Sequence, residues 1–338
     1  MILTVTPNPS LDRTYEVPAL ERGEVLRAAG ERMDPGGKGV NVSRAVAAAG
    51  HRTVAVVPLG GAPGALVAEL LAGQGIEVAP VPVAGHTRSN IAIAEPDGTL
   101  TKINAPGPRL TPAESEAILT AVGAYSPAAD WIACCGSLPR GLAPEWYAEL
   151  VTRAHGAGAR IALDTSGPSL LAALAARPDV VKPNAEELAE AVGRPLATVG
   201  DAVKAAEELR ARGAGTVLAS LGADGQLLVS AAGTWYGSAA VDAVRSDVGA
   251  GDASLAGFLA AGGQGPDALS AALAHGAAAV RLPGSEMPSP ADLDASRVAV
   301  TADVPLDRVL GEPVGRIGPI DRIEPIGRDD TSEQGSPR

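Results

Sequence analysis

A glycine-rich turn that ends in a carboxylate, Ser-Asp-Val-Gly-Ala-Gly-Asp at residues 246–252, most constrains what this chain can fold into. An alanine-rich helical pattern begins directly after it and runs over 253–261. A helix start offers unpaired backbone N–H groups and the positive end of the dipole, which together bind anions. Glycines let a phosphate approach that backbone, and Asp252 is placed to deprotonate an attacking hydroxyl. The alternative is an ordinary helix N-terminus with an Asp near its cap.

Strand-like apolar runs alternate with helical patterns along most of the 338 residues, a length that suits one large α/β domain or two ordinary ones. This alternation predicts a mainly parallel sheet covered by helices on both faces. We predict strands at 2–6, 53–59, 129–135, 161–164, 180–182 and 216–220, and helices at 39–49, 65–74, 112–123, 144–156, 169–176, 185–192 and 201–212.

Two inserts, at about 12–33 and 88–105, interrupt the alternation of strands and helices, and each contains short segments in which polar and apolar residues alternate. The second contains Asp97-Gly98, a strong signal for a hairpin turn. We predict that the inserts pair into a small β-sheet that covers the ligand site as a lid and excludes water. The periodic pattern fades after residue 303, which predicts one domain over 1–303 and an extended or disordered tail over 304–338.

Composition excludes several classes of function. A net charge of −12 without any basic run argues against a nucleic-acid partner. The chain opens on a strand pattern without the charged start of a signal peptide, and no apolar run reaches the ~18 residues of a membrane span. The two cysteines, Cys134 and Cys135, are adjacent in an apolar run and suit a reducing compartment. We therefore expect a cytoplasmic protein with no membrane partner.

Lysine and asparagine are scarce and clustered in this chain. Only four of the 27 basic residues are lysines, and three of these fall in short segments that also contain four of the five asparagines. Lysine is a compact point charge suited to phosphate, and asparagine both donates to and accepts from sugar hydroxyls. The clustering therefore points to a phosphorylated sugar ligand, although polar residues also gather in loops.

The first of these segments follow the first predicted strand. Asp12, in Asn-Pro-Ser-Leu-Asp, is placed to accept hydrogen bonds from substrate hydroxyls or to form a simple Asx turn. Gly37, Lys38 and Asn41, in Gly-Gly-Lys-Gly-Val-Asn, open the first long helix and suit an anionic ligand, or form an ordinary helix entry. The phosphate-loop pattern and Gly-x-Gly-x-x-Gly are both absent, which argues against P-loop and dinucleotide sites.

Further candidates lie in the lid and at later strand ends. Arg88, Asn90 and Lys102 supply cations and an amide for a non-transferred phosphate, or are solvated lid residues. Ser137 follows another strand and either binds a sugar hydroxyl or stabilises its turn.

A last group of candidates points to a nucleotide. Asn184 and Glu187 follow Lys182 with the spacing of a capping box, and the alternative is an outer-sphere Mg²⁺ site. The turn at 220–225 lies between two predicted strands and is placed to border a nucleotide. The four histidines are scattered and form no metal or triad pattern.

The chain resembles the PfkB/ribokinase family of carbohydrate kinases over roughly residues 1–295. Six motifs occur in the family's order: Asn-Pro-x-x-Asp, Gly-Gly-Lys-Gly-x-Asn, Gly-Ser-Leu-Pro-x-Gly, Lys-Pro-Asn-x-x-Glu, Ser-Leu-Gly-x-x-Gly and Gly-Ala-Gly-Asp. Thr-Arg-Ser-Asn-Ile (87–91) and Thr-Lys-Ile-Asn-Ala-Pro-Gly-Pro (101–108) are most similar to the 1-phosphofructokinase branch. Tagatose-6-phosphate kinase and the minor 6-phosphofructokinase are close relatives of that branch.

The resemblance implies a ribokinase-like three-layer α/β/α sandwich with a β lid, a homodimer formed through that lid, and transfer of phosphate from ATP with Mg²⁺. It implies D-fructose 1-phosphate as the substrate and fructose 1,6-bisphosphate as the product. Asp252 would be the general base, and Gly249, Ala250 and Gly251 the anion hole. The sugar phosphate would be held by Asp12, Gly37, Lys38, Asn41, Arg88, Asn90, Lys102 and Ser137. ATP would be held by Lys182, Asn184, Ser220, Gly222, Ala223 and Gly225, with Glu187 acting on Mg²⁺ through water.

Two departures and three alternatives remain open. Many family members have Thr where Asp247 stands, and an extra carboxylate repels phosphate unless it points away or binds a cation. Ala105 replaces the acidic residue that usually precedes Pro-Gly-Pro. The alternatives are a tagatose-6-phosphate or fructose-6-phosphate kinase, a kinase for an unphosphorylated sugar or nucleoside, and a catalytically silent sugar-phosphate sensor.

Overall fold

A ten-stranded sheet forms the middle layer of the protein in the computed structural model, which describes residues 1–311. In chain order the strands of both sheets are β1 (Ile2–Val5), β2 (Ser10–Glu16), β3 (Gly30–Gly36), β4 (Thr53–Leu59), β5 (Glu77–Pro82), β6 (Arg88–Ala94), β7 (Leu100–Ile103), β8 (Trp131–Cys135), β9 (Arg160–Asp164), β10 (Val180–Val181), β11 (Thr216–Ser220), β12 (Gln226–Ser230), β13 (Gly233–Ala239) and β14 (Val298–Thr301). The helices are α1 (Lys38–Ala48), α2 (Gly61–Gly73), α3 (Pro112–Tyr125), α4 (Trp146–Gly156), α5 (Gly167–Leu174), α6 (Ala185–Val192), α7 (Val199–Ala211), α8 (Ala250–Ala260) and α9 (Gly265–Ala279).

The large sheet is mainly parallel, as the alternation of strands and helices predicts. Its order is β14-β13-β12-β11-β10-β9-β8-β1-β4-β5. The seven strands β11, β10, β9, β8, β1, β4 and β5 are parallel to one another. The strands β12, β13 and β14 continue the sheet beyond β11, each antiparallel to its neighbour. Because the carboxyl ends of the parallel strands meet at one edge, the loops that follow them surround a common crevice.

Helices cover both faces of this sheet, and alternate strand residues pack against opposite layers. In β4, Val54 and Val56 join the core beneath α3 to α7, whereas Ala55 and Val57 join the core beneath α1 and α2. A further cluster, which includes Phe258 of α8, fills the space beneath α1, α8 and α9. The three-layer α/β/α sandwich is therefore confirmed, with a core built mostly of Ala, Val, Leu and Ile.

The lid is a separate four-stranded sheet with the order β3-β2-β6-β7. β2 pairs antiparallel with β3 and parallel with β6, and the hairpin of β6 and β7 turns at Asp97-Gly98. The small second sheet predicted from the two inserts is present. Its first insert is longer than predicted, because β2 begins at Ser10 and β3 continues to Gly36.

Four elements were not predicted from the sequence: β5, β13, β14 and α9. β5 lies at an edge of the sheet and contains two prolines. Proline has no N–H group to donate to a neighbouring strand, so it is tolerated at an edge and argues against a strand when only the sequence is read. α9 is so rich in alanine and glycine that its apolar periodicity is weak, and it is fixed by close packing against α8.

Residues 304–311 lie along the body of the domain, and we call them the C-terminal strap. The backbone N–H groups of Val199 and Gly200 donate to Arg308 and Leu306, each at 2.9 Å, and Leu310 donates to Ala197 at 2.9 Å. The strap contains a turn at 306–307 and is hydrogen-bonded to the start of α7. The rest of the predicted tail, 312–338, lies outside the described residues. Within residues 1–311 no helix is long and apolar enough to span a membrane.

The core supports a first prediction. Leu150 on α4 is 1% exposed, whereas Leu171 on α5 is 41% exposed. Leu150→Ala removes buried methylene groups and leaves a cavity, so we expect the free energy of unfolding to fall by about 2–5 kcal/mol. Leu171→Ala is the matched control and should cost less than about 1 kcal/mol. Urea denaturation measures both, and equal losses in the two variants would contradict the assignment of the core.

Candidate active site

A cavity of about 560 Å³ opens at the carboxyl edge of the parallel strands, between the sheet and the lid. It brings together polar side chains from the loops after β1, β8 and β9, from the starts of α1 and α6, and from the lid strand β6. Its lining includes Thr6, Asn8, Ser10, Asp12, Gly37, Lys38, Asn41, Arg88, Asn90, Asn104, Ser137, Thr165, Ser166 and Glu187. Most residues that the sequence assigns to sugar-phosphate binding therefore line one cavity.

A buried carboxylate lies behind this cavity. Asp164, the last residue of β9, is fully buried between two ammonium groups, with Lys38 Nζ 2.7 Å from Oδ1 and Lys182 Nζ 2.9 Å from Oδ2. Burial by itself raises the pKa of Asp164, but attraction to Lys182 and Lys38 outweighs it and the net pKa is lowered. Burial lowers the pKa of each lysine, and attraction to Asp164 outweighs that effect and raises it. All three groups are therefore charged at neutral pH.

Sequence reasoning did not single out Asp164. The available signal was its position, because a carboxylate that ends a buried apolar strand faces the same edge of the sheet as the other candidates. It was missed because Asp164 belongs to none of the glycine- or asparagine-rich motifs.

Asp252 lies in the first turn of α8, beside this charge cluster. Gly249 precedes the helix with φ +80°, a left-handed conformation, and provides no side-chain cap, so the first N–H groups of α8 keep their capacity to bind an anion. Asp252 is only 7% exposed, and Asn41 Nδ2 donates a hydrogen bond to its Oδ2 at 2.9 Å. A Cβ built on Gly251 would lie 3.3 Å from Lys182 Nζ, so the ammonium group lies directly against the helix start.

The environment of Asp252 makes it a weak acid. Burial contributes most, and repulsion by Asp164 adds to it, so that the pKa of Asp252 rises to about 7 against opposing effects of Lys182, Asn41 and Lys38. A carboxylate with a pKa near neutrality is suited to accept a proton and later release it. The arrangement can therefore perform general base chemistry beside a site for anions.

A hydrogen-bond network fixes the substrate side of the cavity. Ser10 Oγ donates to Asp12 Oδ1 at 2.7 Å, and Asn90 Nδ2 donates to the same oxygen at 2.8 Å. Asn90 Oδ1 in turn accepts from the backbone N–H of Ala105 at 3.1 Å. Asp12 is thereby oriented by two neighbouring lid strands.

Arg88 has a structural role that the sequence did not suggest. Its Nε and Nη2 donate to the carbonyl of Asn8 at 3.3 and 3.0 Å, and its Nη1 donates to the carbonyl of Ala105 at 2.9 Å. Burial lowers the pKa of Arg88. The guanidinium therefore joins two loops while it also lines the cavity.

The predicted nucleotide residues lie at neighbouring strand ends. Asn184 and Glu187 form the capping box of α6, with Glu187 N donating to Asn184 Oδ1 at 2.8 Å and Asn184 N donating to Glu187 Oε2 at 2.9 Å. Glu187 Oε1 lies 3.5 Å from Lys38 Nζ. The loop at 184 is joined to the turn at 220–225, because Ser220 N donates to the carbonyl of Pro183 at 3.1 Å.

Two lid-side residues lie apart from the first cavity. Lys102 and Asp247 line a neighbouring cavity of about 710 Å³, between the lid and the loops 245–248 and 283–286. Asp247 is exposed in the loop before α8, in contrast to Asp252, which is buried in the first turn of that helix. Its carboxylate is therefore solvated and does not lie in the buried charge cluster.

Comparison with known proteins agrees with this architecture. The profile of the pfkB family of carbohydrate kinases matches residues 6–292. The chain is 40% identical to a 1-phosphofructokinase of Rhodobacter capsulatus, over 89% of this chain and 96% of that protein. It is 39% identical to a 1-phosphofructokinase of Haloferax volcanii, over 87% and 95% of the two chains. The crystal structure of phosphofructokinase-2 from Escherichia coli in complex with potassium superposes with a TM-score of 0.82 at 33% identity, covering 86% of this chain and 96% of that one.

The raised pKa of Asp252 predicts an inverse dependence of stability on pH. Its pKa is about 7 in the folded protein and ~4 in an unfolded chain, so between these values the folded state binds more protons. Stability from this group is therefore fully present below about pH 4 and is lost as the pH rises from there to about 7. We expect Asp252→Asn to be more stable than the wild type at pH 8, by up to about 4 kcal/mol, with the difference vanishing near pH 4.

Urea denaturation at pH 5, 6.5 and 8 measures this difference. Asp303→Asn, at an exposed position in a loop, is the control and should follow the wild type at every pH. A variant at residue 252 that is no more stable than the wild type at pH 8 would show that Asp252 does not carry a burial cost.

Proposed function

This chain belongs to the pfkB family of carbohydrate kinases, and we propose that it transfers phosphate from ATP to D-fructose 1-phosphate, giving fructose 1,6-bisphosphate and ADP. The observation that carries the proposal is the placement of Asp252, whose pKa is about 7, at the start of α8 and beside a cavity lined by the polar side chains to which we assign the sugar phosphate. The names of the relatives at 40% and 39% identity support the choice of substrate.

In the proposed reaction Asp252 acts as the general base. The sugar hydroxyl oxygen bonds to the γ-phosphorus, the bond from that phosphorus to the bridging oxygen of ADP breaks, and the hydroxyl proton passes to the Asp252 carboxylate. We assign the backbone N–H groups at Gly249, Ala250 and Gly251 to the transferring group, because no side chain caps the start of α8, and Lys182 adds a positive charge against the same helix start. Positioning and charge stabilisation supply most of the rate enhancement in such a transfer.

We assign the sugar phosphate to the cavity between sheet and lid. Asp12 accepts hydrogen bonds from the sugar hydroxyls, since Ser10 and Asn90 already fix its orientation. Three of the five N–H groups of Arg88 hold backbone carbonyls, and the remaining two serve the phosphate that is not transferred. Gly37, Lys38, Asn41 and Ser137 complete this subsite, and Lys102 contributes from the edge of the neighbouring cavity.

ATP is assigned to the side formed by Lys182, Asn184 and the turn at 220–225, and the residues present fit Mg²⁺ held mainly by phosphate and water. Within residues 1–311 no group of three or more His, Cys, Asp or Glu side chains is arranged to bind a metal. Both oxygens of Glu187 already have partners, so it acts on Mg²⁺ through water rather than directly. When bound, Mg²⁺ neutralises phosphate charge, and it commonly keeps several waters in such sites.

The lid is also the proposed surface of a homodimer. Strand register places Met33, Arg13, Ile91 and Ile103 in one row across all four lid strands. Three of these are exposed large hydrophobic residues, with Ile103 57% exposed. The opposite face carries Asp12, Thr14, Asn90 and Lys102, which line the cavities. One face of the lid therefore serves the ligands while the other presents apolar surface to a second copy.

Turnover with Mg²⁺ and ATP tests the proposed reaction. We expect kcat/KM to be highest with fructose 1-phosphate among fructose 1-phosphate, fructose 6-phosphate, tagatose 6-phosphate and unphosphorylated sugars. Preference for fructose 6-phosphate or tagatose 6-phosphate would leave the proposed mechanism standing but would show that the substrate is that of a related enzyme. The absence of turnover with all of them, in folded protein, would overturn the proposal.

The role of Asp252 has its own test. Asp252→Asn should retain ATP binding and lose kcat by about 10²- to 10⁴-fold, the usual contribution of general base catalysis. Wild-type kcat should rise with pH through about 7, as Asp252 loses its proton. Asp303→Asn should keep the wild-type rate and pH profile, and near-normal turnover in Asp252→Asn would rule out this base.

Dimer formation through the lid predicts a change of mass. Ile103→Lys places a charge in the apolar row, so we expect the variant to sediment as a monomer where the wild type sediments as a dimer. Leu171→Lys changes a similarly exposed residue on α5 and should remain dimeric. Analytical ultracentrifugation gives both masses, and a dimer that survives Ile103→Lys would place the interface elsewhere.

A further inference from the structure

The C-terminal strap contacts the turn to which we assign ATP, and one carboxylate joins the two. Asp224 lies in the turn at 220–225, and its Oδ1 accepts hydrogen bonds from Arg308 Nη2 at 2.9 Å and from Arg308 Nε at 3.3 Å. Its Oδ2 accepts from the backbone N–H of Gly311 at 2.7 Å. Both oxygens of this side chain are therefore held by the strap.

Arg308 makes a second contact that fixes its direction. Its guanidinium lies 5.9 Å from the centre of the Tyr236 ring, within the range of a cation–π interaction. The Tyr236 hydroxyl donates to the backbone carbonyl of Asp224 at 2.5 Å. Arg308 therefore holds the side chain of Asp224, and Tyr236 holds its backbone carbonyl.

Two of the backbone hydrogen bonds within the turn are long: Asp224 N donates to the carbonyl of Leu221 at 3.2 Å, and Gly225 N donates to that of Gly222 at 3.3 Å. The ends of the turn are joined by the N–H of Leu221, which donates to the carbonyl of Gly225 at 2.8 Å. Gly225 has φ +100°, and a Cβ there would lie 2.2 Å from the carbonyl oxygen of Gly237, so glycine is required. Glycine is also the residue with the greatest conformational freedom, so contacts from outside the turn limit its motion further.

Charge gives the same contacts a second consequence. The carboxylate of Asp224 lies between Ala223 and Gly225, two residues assigned to ATP, and by itself would repel a polyphosphate. The hydrogen bond from Gly311 and the pairing with Arg308 hold the pKa of Asp224 below its usual range, so the group is ionised and needs a cation. Arg308 supplies that cation from outside the turn.

We propose that Arg308 is a positioning residue for the nucleotide, which holds the turn at 220–225 through Asp224 and neutralises it. The inference rests on the proposed function, because the turn is assigned to ATP there. It extends the ATP site to a strap that lies beyond residue 292, where the match to the family profile ends.

Calorimetric binding of Mg²⁺-ATP to the full chain tests the proposal, together with the KM for fructose 1-phosphate. Arg308→Ala should weaken ATP binding by roughly fivefold, within the range of a well-oriented exposed ion pair, and leave the KM for the sugar phosphate unchanged. Arg308→Lys should restore part of the loss, since it keeps the charge but not the two-pronged contact. Asp224→Ala should weaken ATP binding less than Arg308→Ala does, because it removes the repulsive carboxylate together with the contact, and the double variant should bind ATP no more weakly than Arg308→Ala.

Arg153→Ala is the matched control. Arg153 is 41% exposed and binds Glu116 through two hydrogen bonds, as Arg308 binds Asp224, but it joins α3 to α4 away from both cavities. It should leave ATP binding unchanged. Arg308→Ala that binds ATP like the wild type, or that weakens ATP and sugar phosphate equally, overturns the inference alone. Wild-type protein that fails to bind ATP overturns the proposed function and this inference with it.

Discussion

The buried carboxylate of Asp164 is the constraint on which the site depends. It is fully buried at the end of β9 and is tolerated there because Lys38 from α1 and Lys182 from the end of β10 lie within 2.9 Å of it. Removing one partner from such a cluster leaves an uncompensated buried charge, at a cost of ~3–5 kcal/mol. The three groups therefore fix the position of α1 relative to the strand ends, and with it the floor of the cavity.

The same cluster sets the chemistry of Asp252. With Asp252 ionised, Lys38 and Lys182 face Asp164, Glu187 and Asp252, which leaves an excess of negative charge in a poorly solvated region. Burial of Asp252 is the main reason that its pKa rises to about 7, and the excess of negative charge, which protonation removes, adds to it, whereas the two lysines lower the pKa of Asp164. Two carboxylates a short distance apart thus differ in role, because one lies between cations and the other lies beside a carboxylate.

The lid and the strap have no large hydrophobic core of their own, and hydrogen bonds to distant segments fix their positions. Register across β3-β2-β6-β7 places polar residues on one face and Met33, Ile91 and Ile103 on the other. Arg88 ties the lid to the loop after β1 through the carbonyl of Asn8. Asp224 ties the turn at 220–225 to the strap. In each case a charged side chain bonds to segments far apart in the sequence.

The sequence by itself determined the parallel sheet, its covering helices, the small second sheet and the order of the motifs, because apolar periodicity and turn chemistry are local properties. It also placed Asp252 at a helix start, and it placed the sugar-site candidates after two strands, at the start of α1 and in the lid. It missed Asp164, the backbone role of Arg88 and the strap, since these depend on partners distant along the chain. Lys38 and Asp164 are separated by 126 positions, and Arg308 and Asp224 by 84. Only the tertiary structure decided which charges meet, and therefore which carboxylate stays ionised and which one titrates near neutral pH.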